Sequence, residues 1–148
     1  MLDPQKFRPP HYLEALLVLA TALQLLLKPA RVIEARYLGA ALLIGGFLFM
    51  LNAKRLFDRH KTPVRHSEKP SALVTGGPFR FTRNPMYIGV EVLLTGIGLF
   101  AGTWPYLCVP VVMFLILQFH FIPWEEKTME NLFKDEYINY KKSVRRWI

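Results

Sequence analysis

The sequence predicts an all-α integral membrane protein with about four transmembrane helices and a C-terminal amphipathic interfacial helix. The chain has 148 residues, of which 52% are hydrophobic, and its mean hydropathy is +0.21. The apolar residues gather into four blocks, and most charged residues lie between or after them. A chain this short and this apolar, in so few blocks, favours one membrane domain over residues 1–148.

The four apolar blocks cover residues 12–27, 37–53, 86–103 and 104–122. Each is close to the roughly 17 to 25 residues that a helix needs to cross the hydrocarbon layer. The first block is the shortest, and it carries Glu14. No small-residue cleavage pattern follows it, so we expect it to remain as a span and not to be removed as a secretory signal.

The distribution of charge predicts the orientation of these spans. Lysines and arginines are dense between the second and third blocks, and six more follow Trp124, whereas residues 102–105 between the last two blocks carry no charge. The positive-inside rule therefore places the central loop, predicted over residues 58–70, and both termini in the cytoplasm. Because the chain is minimal and carries no evident retention signal, a bacterial or archaeal inner membrane is the expected location.

Charge and residue composition also exclude some partners. The net charge is +8, but the cations lie beside hydrophobic spans, where anionic lipid headgroups are nearer partners than nucleic acid. Cys108 is the sole cysteine, and the four histidines lack paired metal-ligand spacing. We therefore expect no disulfide and no metal site.

A polar turn precedes the third span. A short extended segment leads into Gly76-Gly77-Pro78, whose residues suit a tight turn with exposed amides that can bind an anion or a cofactor. Asn84 is a suitable side-chain cap, and Pro85 suits the first position of the helix. Arg83 beside this helix start predicts a site for a carboxylate or phosphate, or for a lipid phosphate.

Three features inside the spans bear on function or packing. Glu91 lies two turns into the third span, where an ionisable group either belongs to a site or makes a packing hydrogen bond. Four glycines thin the third span and favour close helix packing: Gly89, Gly96, and the G-x-x-x-G pair Gly98 and Gly102. His120 ends the fourth span among aromatic residues, which is also typical of an interfacial belt.

The segment after the acidic doublet Glu125-Glu126 has helical spacing. Apolar and aromatic residues recur at three- or four-residue steps, at Met129, Phe133, Tyr137, Tyr140, Val144 and Trp147. This pattern predicts an amphipathic helix that lies on the bilayer and covers a site formed by residues 76–87.

Over residues 73–147, the chain resembles the membrane methyltransferases of the isoprenylcysteine carboxyl methyltransferase and phospholipid methyltransferase group. The resemblance rests on residues 73–87, on Glu125-Glu126, and on residues 133–137 followed by Tyr140 and Arg145. It implies S-adenosylmethionine at the cytosolic face and a lipophilic or lipid-linked small acceptor that arrives through the bilayer. Asn84 replaces the usual histidine of this motif. Members of the family often carry an arginine just before the acidic doublet, where it would steer an acceptor carboxylate, but here no arginine lies between Arg83 and Arg145. A prenylcysteine carboxylate is therefore a less expected acceptor.

The resemblance also implies a set of site residues. Arg83 and the helix start at Pro85 are expected to meet anionic groups, the acidic doublet to meet the ribose or ammonium group, and aromatic residues, including Trp124, to contact the ligand. The residues expected to bind the cofactor are Leu73, Val74, Gly76, Gly77, Phe79, Arg83, Asn84, Pro85, Tyr87, Glu125 and Glu126.

The expected catalytic residues are Arg83, Tyr87, His120 and Glu91. A carboxylate acceptor needs no general base, whereas an amine, phenol or thiol must lose a proton, and Tyr87, His120 or Glu91 would then matter.

Two other functions are compatible with the sequence. One is a nicotinamide-dependent membrane reductase of the sterol reductase type, for which 148 residues is a short chain. The other is a non-catalytic protein that binds lipid and packs helices. The second leaves unexplained why the turn, Arg83 and the acidic doublet occur together.

Overall fold

The computed structural model describes residues 8–59 and 72–148, with backbone only for residues 57–59. Five α-helices follow one another: α1 (Pro9–Leu27), α2 (Arg36–Arg59), α3 (Pro85–Ala101), α4 (Trp104–Ile116) and α5 (Ile122–Ser143). A 3₁₀ turn, Gly77–Arg80, precedes α3, and a π-helical segment, Leu117–Phe121, joins α4 to α5. The loop predicted over residues 58–70 lies largely outside the described residues.

The helices agree with the four predicted apolar blocks. In the described part of the chain, three helical stretches are long and apolar enough to cross a membrane: Pro9–Leu27, Arg36–Leu56 and the continuous stretch Trp104–Ser143. Helix α3 is a shorter apolar helix of 17 residues. The prediction of an all-α membrane protein is confirmed.

Contacts between the helices fix their relative directions. Thr21 near the end of α1 lies 2.9 Å from the Tyr106 hydroxyl near the start of α4, and Tyr12 near the start of α1 packs edge-on against Phe121 after α4. Helix α1 is therefore antiparallel to α4. We call the end of the bundle at which α3 begins and α4 ends the site end, and α1 begins there too.

Helices α2 and α3 meet backbone to backbone through glycines. A Cβ atom on Gly39 would lie 2.4 Å from the Phe100 nitrogen, and one on Gly46 would lie 2.5 Å from the Leu93 nitrogen. On α3, a Cβ atom on Gly96 would lie 2.5 Å from the Leu43 nitrogen. No side chain fits at these three positions, so the glycines allow the close crossing.

The predicted close packing is confirmed for Gly89 and Gly96, which face α2, and for Gly98, whereas Gly102 has a different role. Gly98 packs on α4, where an added Cβ atom would lie 3.0 Å from the Tyr106 carbonyl oxygen. Gly102 instead ends α3 with φ +68°, and its amide donates to the Gly98 carbonyl. This left-handed conformation is the one for which a C-terminal glycine is preferred.

The buried apolar core lies between α1, α3 and α4 and extends to the site end. Its members include Leu94, Met113, Leu117, Phe121 and Ile122, each at most 1% exposed. Large apolar side chains also point outward from the helices, such as Leu26 at 79% and Val111 at 61% exposure. An apolar exterior around an apolar core is what a membrane-spanning bundle requires.

Candidate functional site

The turn before α3 is held against α5. The Phe79 amide donates to the Gly76 carbonyl over 3.1 Å, and Gly77 takes φ +57°. Phe79 is buried, and its carbonyl accepts a 2.7 Å hydrogen bond from the Tyr140 hydroxyl. Burial raises the pKa of Tyr140 to about 12, so this hydroxyl keeps its proton. As predicted, α3 begins at Pro85.

Arg83 joins three parts of the chain. Its side chain is 9% exposed, and its Nη2 lies 2.7 Å from Glu126 Oε1. Its Nη1 donates to the carbonyls of Lys141 and Val144. Its Nε is buried and has no hydrogen-bond partner among the described residues. Most of the guanidinium is therefore committed to holding α5 and the chain end against the start of α3.

Glu126 is the anionic centre of this cluster. Its side chain is 6% exposed, and it accepts hydrogen bonds from Arg146 Nη2 at 2.7 Å and Arg146 Nε at 3.1 Å as well as from Arg83. Burial alone would raise the pKa of Glu126, but the hydrogen bonds from Arg146 and Arg83 outweigh it and lower the pKa. Glu126 therefore stays ionised at neutral pH.

The other member of the doublet has a different environment. Glu125 is half-buried, and its Oε1 accepts a 2.6 Å hydrogen bond from the Tyr87 hydroxyl on the first turn of α3. At this contact Glu125 meets a neutral phenol, whereas Glu126 meets the guanidinium groups of Arg83 and Arg146. Glu125 is also the more exposed of the two carboxylates, so it is the one that a cationic or hydroxyl-bearing ligand can reach more easily.

Asn84 does not cap α3 with its side chain, so that prediction is wrong. Its Nδ2 donates instead to the Arg146 carbonyl at 2.9 Å, and its backbone amide donates to Thr82 Oγ1. The Arg83 amide likewise donates to the Arg145 carbonyl at 2.9 Å. The segment after α5 brings backbone carbonyls close to Asn84, and these carbonyls need hydrogen-bond donors. The side-chain amide of Asn84 donates to one of them.

The amphipathic helix is also shorter than predicted. Helix α5 ends at Ser143, and Val144 is extended (φ −124°, ψ 135°), so the prediction that helical spacing continues to Val144 and Trp147 is wrong. A non-helical residue, Lys134 (φ 46°, ψ −123°), interrupts α5. We call residues 144–147 the C-terminal strap. Trp147 anchors it by donating a 2.8 Å hydrogen bond to Gln118 Oε1.

His120 lies in the π-helical segment at the site end. Pro123 lies two residues after this segment and cannot donate to the Phe119 carbonyl four residues earlier, which accounts for the wider turn before it. The His120 ring lies 6.3 Å from Tyr12 and 5.0 Å from Phe121, measured between ring centroids. Its Nε2 is buried without a hydrogen-bond partner in the described ranges. Such segments are frequent at functional sites.

The remaining predicted residues are more dispersed. Val74 is buried, Leu73 is half-buried, and Gly76 has open space where a Cβ atom would lie. Glu91 is about 9 Å along α3 from Pro85, where it lines a separate cleft.

Sequence reasoning missed Thr82, Lys141 and Arg146. The adjacent arginines Arg145 and Arg146 could have indicated a partner for the acidic doublet, but only the fold decides which of the two faces Glu126.

Comparison with known protein families identifies relatives of this chain. The family model for phospholipid methyltransferases matches residues 35–136, more than half of the chain. No significant match was found among curated proteins or among solved structures. The matched residues run from α2 into α5 and include Arg83, Tyr87 and the acidic doublet, whereas the C-terminal strap follows the matched region. The chain therefore belongs to the phospholipid methyltransferase family of membrane proteins.

Proposed function

We propose that this protein transfers a methyl group from S-adenosylmethionine to a lipophilic or lipid-linked small acceptor, at a site end that faces the cytosol. One observation carries the proposal. Both carboxylates of the acidic doublet bond to the start of α3, Glu125 through Tyr87 at 2.6 Å and Glu126 through Arg83 at 2.7 Å. Membership of a methyltransferase family supports this assignment.

The polar atoms at the site end fit the cofactor. Glu125 offers a half-buried carboxylate for the ribose hydroxyls or the ammonium group. Arg83 Nε and His120 Nε2 are buried atoms without a partner among the described residues. Each such atom costs about 1 to 3 kcal/mol when unpaired, so a ligand that pairs with it gains that energy.

The aromatic residues near the doublet fit the remaining part of the cofactor. Trp124 is half-buried next to Glu125 and offers a ring face for adenine. The bound cofactor supplies an electrophilic methyl group on its sulfonium.

Because Glu126 already compensates Arg83, we assign Arg83 a supporting role in which only its Nε and remaining Nη2 hydrogen reach the ligand.

The cluster of Arg83, Glu126 and Arg146 holds the start of α3, helix α5 and the C-terminal strap in a fixed relation. Methyl transfer depends on alignment and on exclusion of water, which a rigid frame of this kind provides. A carboxylate acceptor needs no base. For an amine, phenol or thiol acceptor, His120 Nε2 is the group at the site end that suits acceptance of the proton.

The test is calorimetric titration of S-adenosylmethionine into protein in lipid nanodiscs, followed by transfer of a labelled methyl group to extracted lipids. Glu125→Gln removes the carboxylate charge and should weaken binding roughly tenfold or more, the value of a charged hydrogen bond. The matched control is Glu136→Gln, since Glu136 is exposed on α5. A folded parent protein that does not bind would contradict the proposal, and binding of a reduced nicotinamide cofactor instead would favour a reductase.

A further inference from the structure

A lateral cleft lies between α3 and α4, away from the charged cluster. It is an open cleft with a volume of about 430 Å³, within the usual range of small-molecule sites. Two lining residues come from α3 and four from α4: Glu91, Thr95, Leu107, Pro110, Val111 and Phe114. Apart from Glu91 and Thr95, the lining is apolar.

The cleft is bounded at both ends and open at the side. Gly98 brings α3 close to α4 at one end, where an added Cβ atom would lie 3.0 Å from the Tyr106 carbonyl oxygen. At the other end, the Phe114 ring packs against Trp147 of the C-terminal strap, with the ring planes tilted by 34° and the centroids 5.0 Å apart. Val111 is 61% exposed on the open side. Because these helices span the membrane, that opening faces lipid.

Glu91 is the chemically unusual group in this cleft. Its Oε1 is buried and has no hydrogen-bond partner in the described part of the chain. The Thr95 hydroxyl donates to the Glu91 backbone carbonyl at 2.8 Å, so that proton is committed. The four residues of α4 that line the cleft have no polar side chain, and Pro110 has no backbone N–H. A carboxyl in the hydrocarbon region needs a partner, and these walls supply none.

Water is a poor candidate for that partner. A buried water needs two to four polar contacts, and the lining offers it the Glu91 carboxyl with little else. A lipophilic molecule with one hydrogen-bond donor satisfies both the apolar walls and the carboxyl.

We propose that this cleft binds the methyl acceptor laterally from the bilayer, with its hydrocarbon part along α4 and a hydroxyl or N–H group donating to Glu91. The inference rests on the proposed function only in naming the ligand as the acceptor. Binding to the cleft itself requires no cofactor. The contact with Trp147 connects the cleft to the strap that closes the site end.

The binding test uses a bromoalkanol and a bromoalkane of equal chain length, added to nanodiscs without S-adenosylmethionine. Bromine quenches nearby tryptophan fluorescence, and Trp147 is the reporter once Trp104 and Trp124 are replaced by Phe. We expect saturable quenching by both probes. The alcohol should reach half-saturation at a mole fraction in the bilayer about three- to tenfold lower than the alkane does, because a hydrogen bond inside a membrane is worth a free energy of this order. Glu91→Leu should remove this preference. Glu14→Gln, at an exposed carboxylate on α1, should retain it.

Equal affinity for alcohol and alkane in the parent, or an unchanged preference in Glu91→Leu, would overturn the proposal. Val111→Phe is a second variant because it fills the mouth of the cleft from the lipid-exposed side. It should weaken quenching by both probes, and unaltered quenching would count equally against the cleft.

If the binding results hold but no methyl transfer occurs, the cleft remains a lipid site and the proposed function fails. The bromoalkanol should also inhibit methyl transfer competitively with the acceptor, and failure to inhibit would contradict the identification of the ligand as acceptor.

Discussion

At the scale of single residues, the acidic doublet shows how neighbours on a helix take different roles. Adjacent helical residues point in directions about 100° apart, so Glu126 faces Arg83 and Arg146 while Glu125 faces Tyr87. Glu126 is 5% exposed as a residue, and Glu125 is half-buried. We therefore expect substitutions of Glu126 to act on stability and substitutions of Glu125 to act on ligand binding.

Glu126→Gln should lower the free energy of unfolding by about 3 kcal/mol. The substitution leaves two guanidinium groups without their counter-charge, and removal of one partner of a buried ion pair typically costs about 3 to 5 kcal/mol. Equilibrium unfolding in mixed detergent micelles measures the change. Glu136→Gln on the exposed face of α5 should stay within about 0.5 kcal/mol of the parent. Similar losses for both variants would show that Glu126 is not a structural anion.

The lowered pKa of Glu126 predicts an acid-dependent contribution to stability. A carboxyl whose pKa is lower in the folded state stabilises the fold above its unfolded pKa, and this contribution is lost as the pH falls through the folded pKa. The difference in unfolding free energy between parent and Glu126→Gln should be constant near neutral pH and narrow below the ordinary carboxyl value of 4.5. Paired unfolding curves across this range measure it, and a difference that widens in acid would contradict the assignment.

At the scale of helices, the contact between α2 and α3 depends on the absence of side chains. Gly39 lies against Gly96, and Gly46 lies against Gly89, in antiparallel register. Apolar side chains gain little from packing together when lipid is the alternative, so close backbone contact supplies much of the attraction. This explains why glycines recur seven residues apart on both helices.

Gly46→Ala should destabilise the protein by about 2 kcal/mol, in the range that overpacking costs. The added Cβ atom would lie 2.5 Å from the Leu93 nitrogen and 2.7 Å from the Gly89 carbonyl oxygen, so two backbones must separate. Gly45→Ala is a matched control because nothing lies within 4 Å of its Cβ position. Thermal unfolding in the same detergent compares them, and equal melting temperatures would mean that the helices are not in close contact.

At the scale of the whole molecule, the C-terminal strap joins elements that are distant in sequence. The strap receives hydrogen bonds at two of its carbonyls, from the side chains of Asn84 and Arg83, and its Trp147 side chain donates to Gln118. The strap also supplies Arg146 to Glu126. The site end is therefore complete only when the last residues are in place, although they follow the region that matches the family.

Removal of residues 144–148 should lower the free energy of unfolding by at least about 3 kcal/mol, because Glu126 loses one guanidinium and several carbonyl contacts disappear. We also expect binding of S-adenosylmethionine to weaken at least tenfold. Removal of Ile148 alone, which is 84% exposed, should change neither quantity. Unfolding and calorimetry on the two truncations test this prediction, and retention of full affinity without the strap would contradict it.

The sequence by itself determined the membrane class, the helical blocks, the start of α3 at Pro85 and the family resemblance. These properties depend on local composition, hydropathy and short motifs, which can be read without knowing where the chain folds back. Only the tertiary structure decided that Arg83 pairs with Glu126, 43 residues away, and that Asn84 bonds to a carbonyl 62 residues away. It also decided that Gly39 faces Gly96 and that Glu91 lines a cleft in which its Oε1 has no hydrogen-bond partner among the described residues. Such contacts depend on the registers and directions of several helices at once, and no local pattern contains that information.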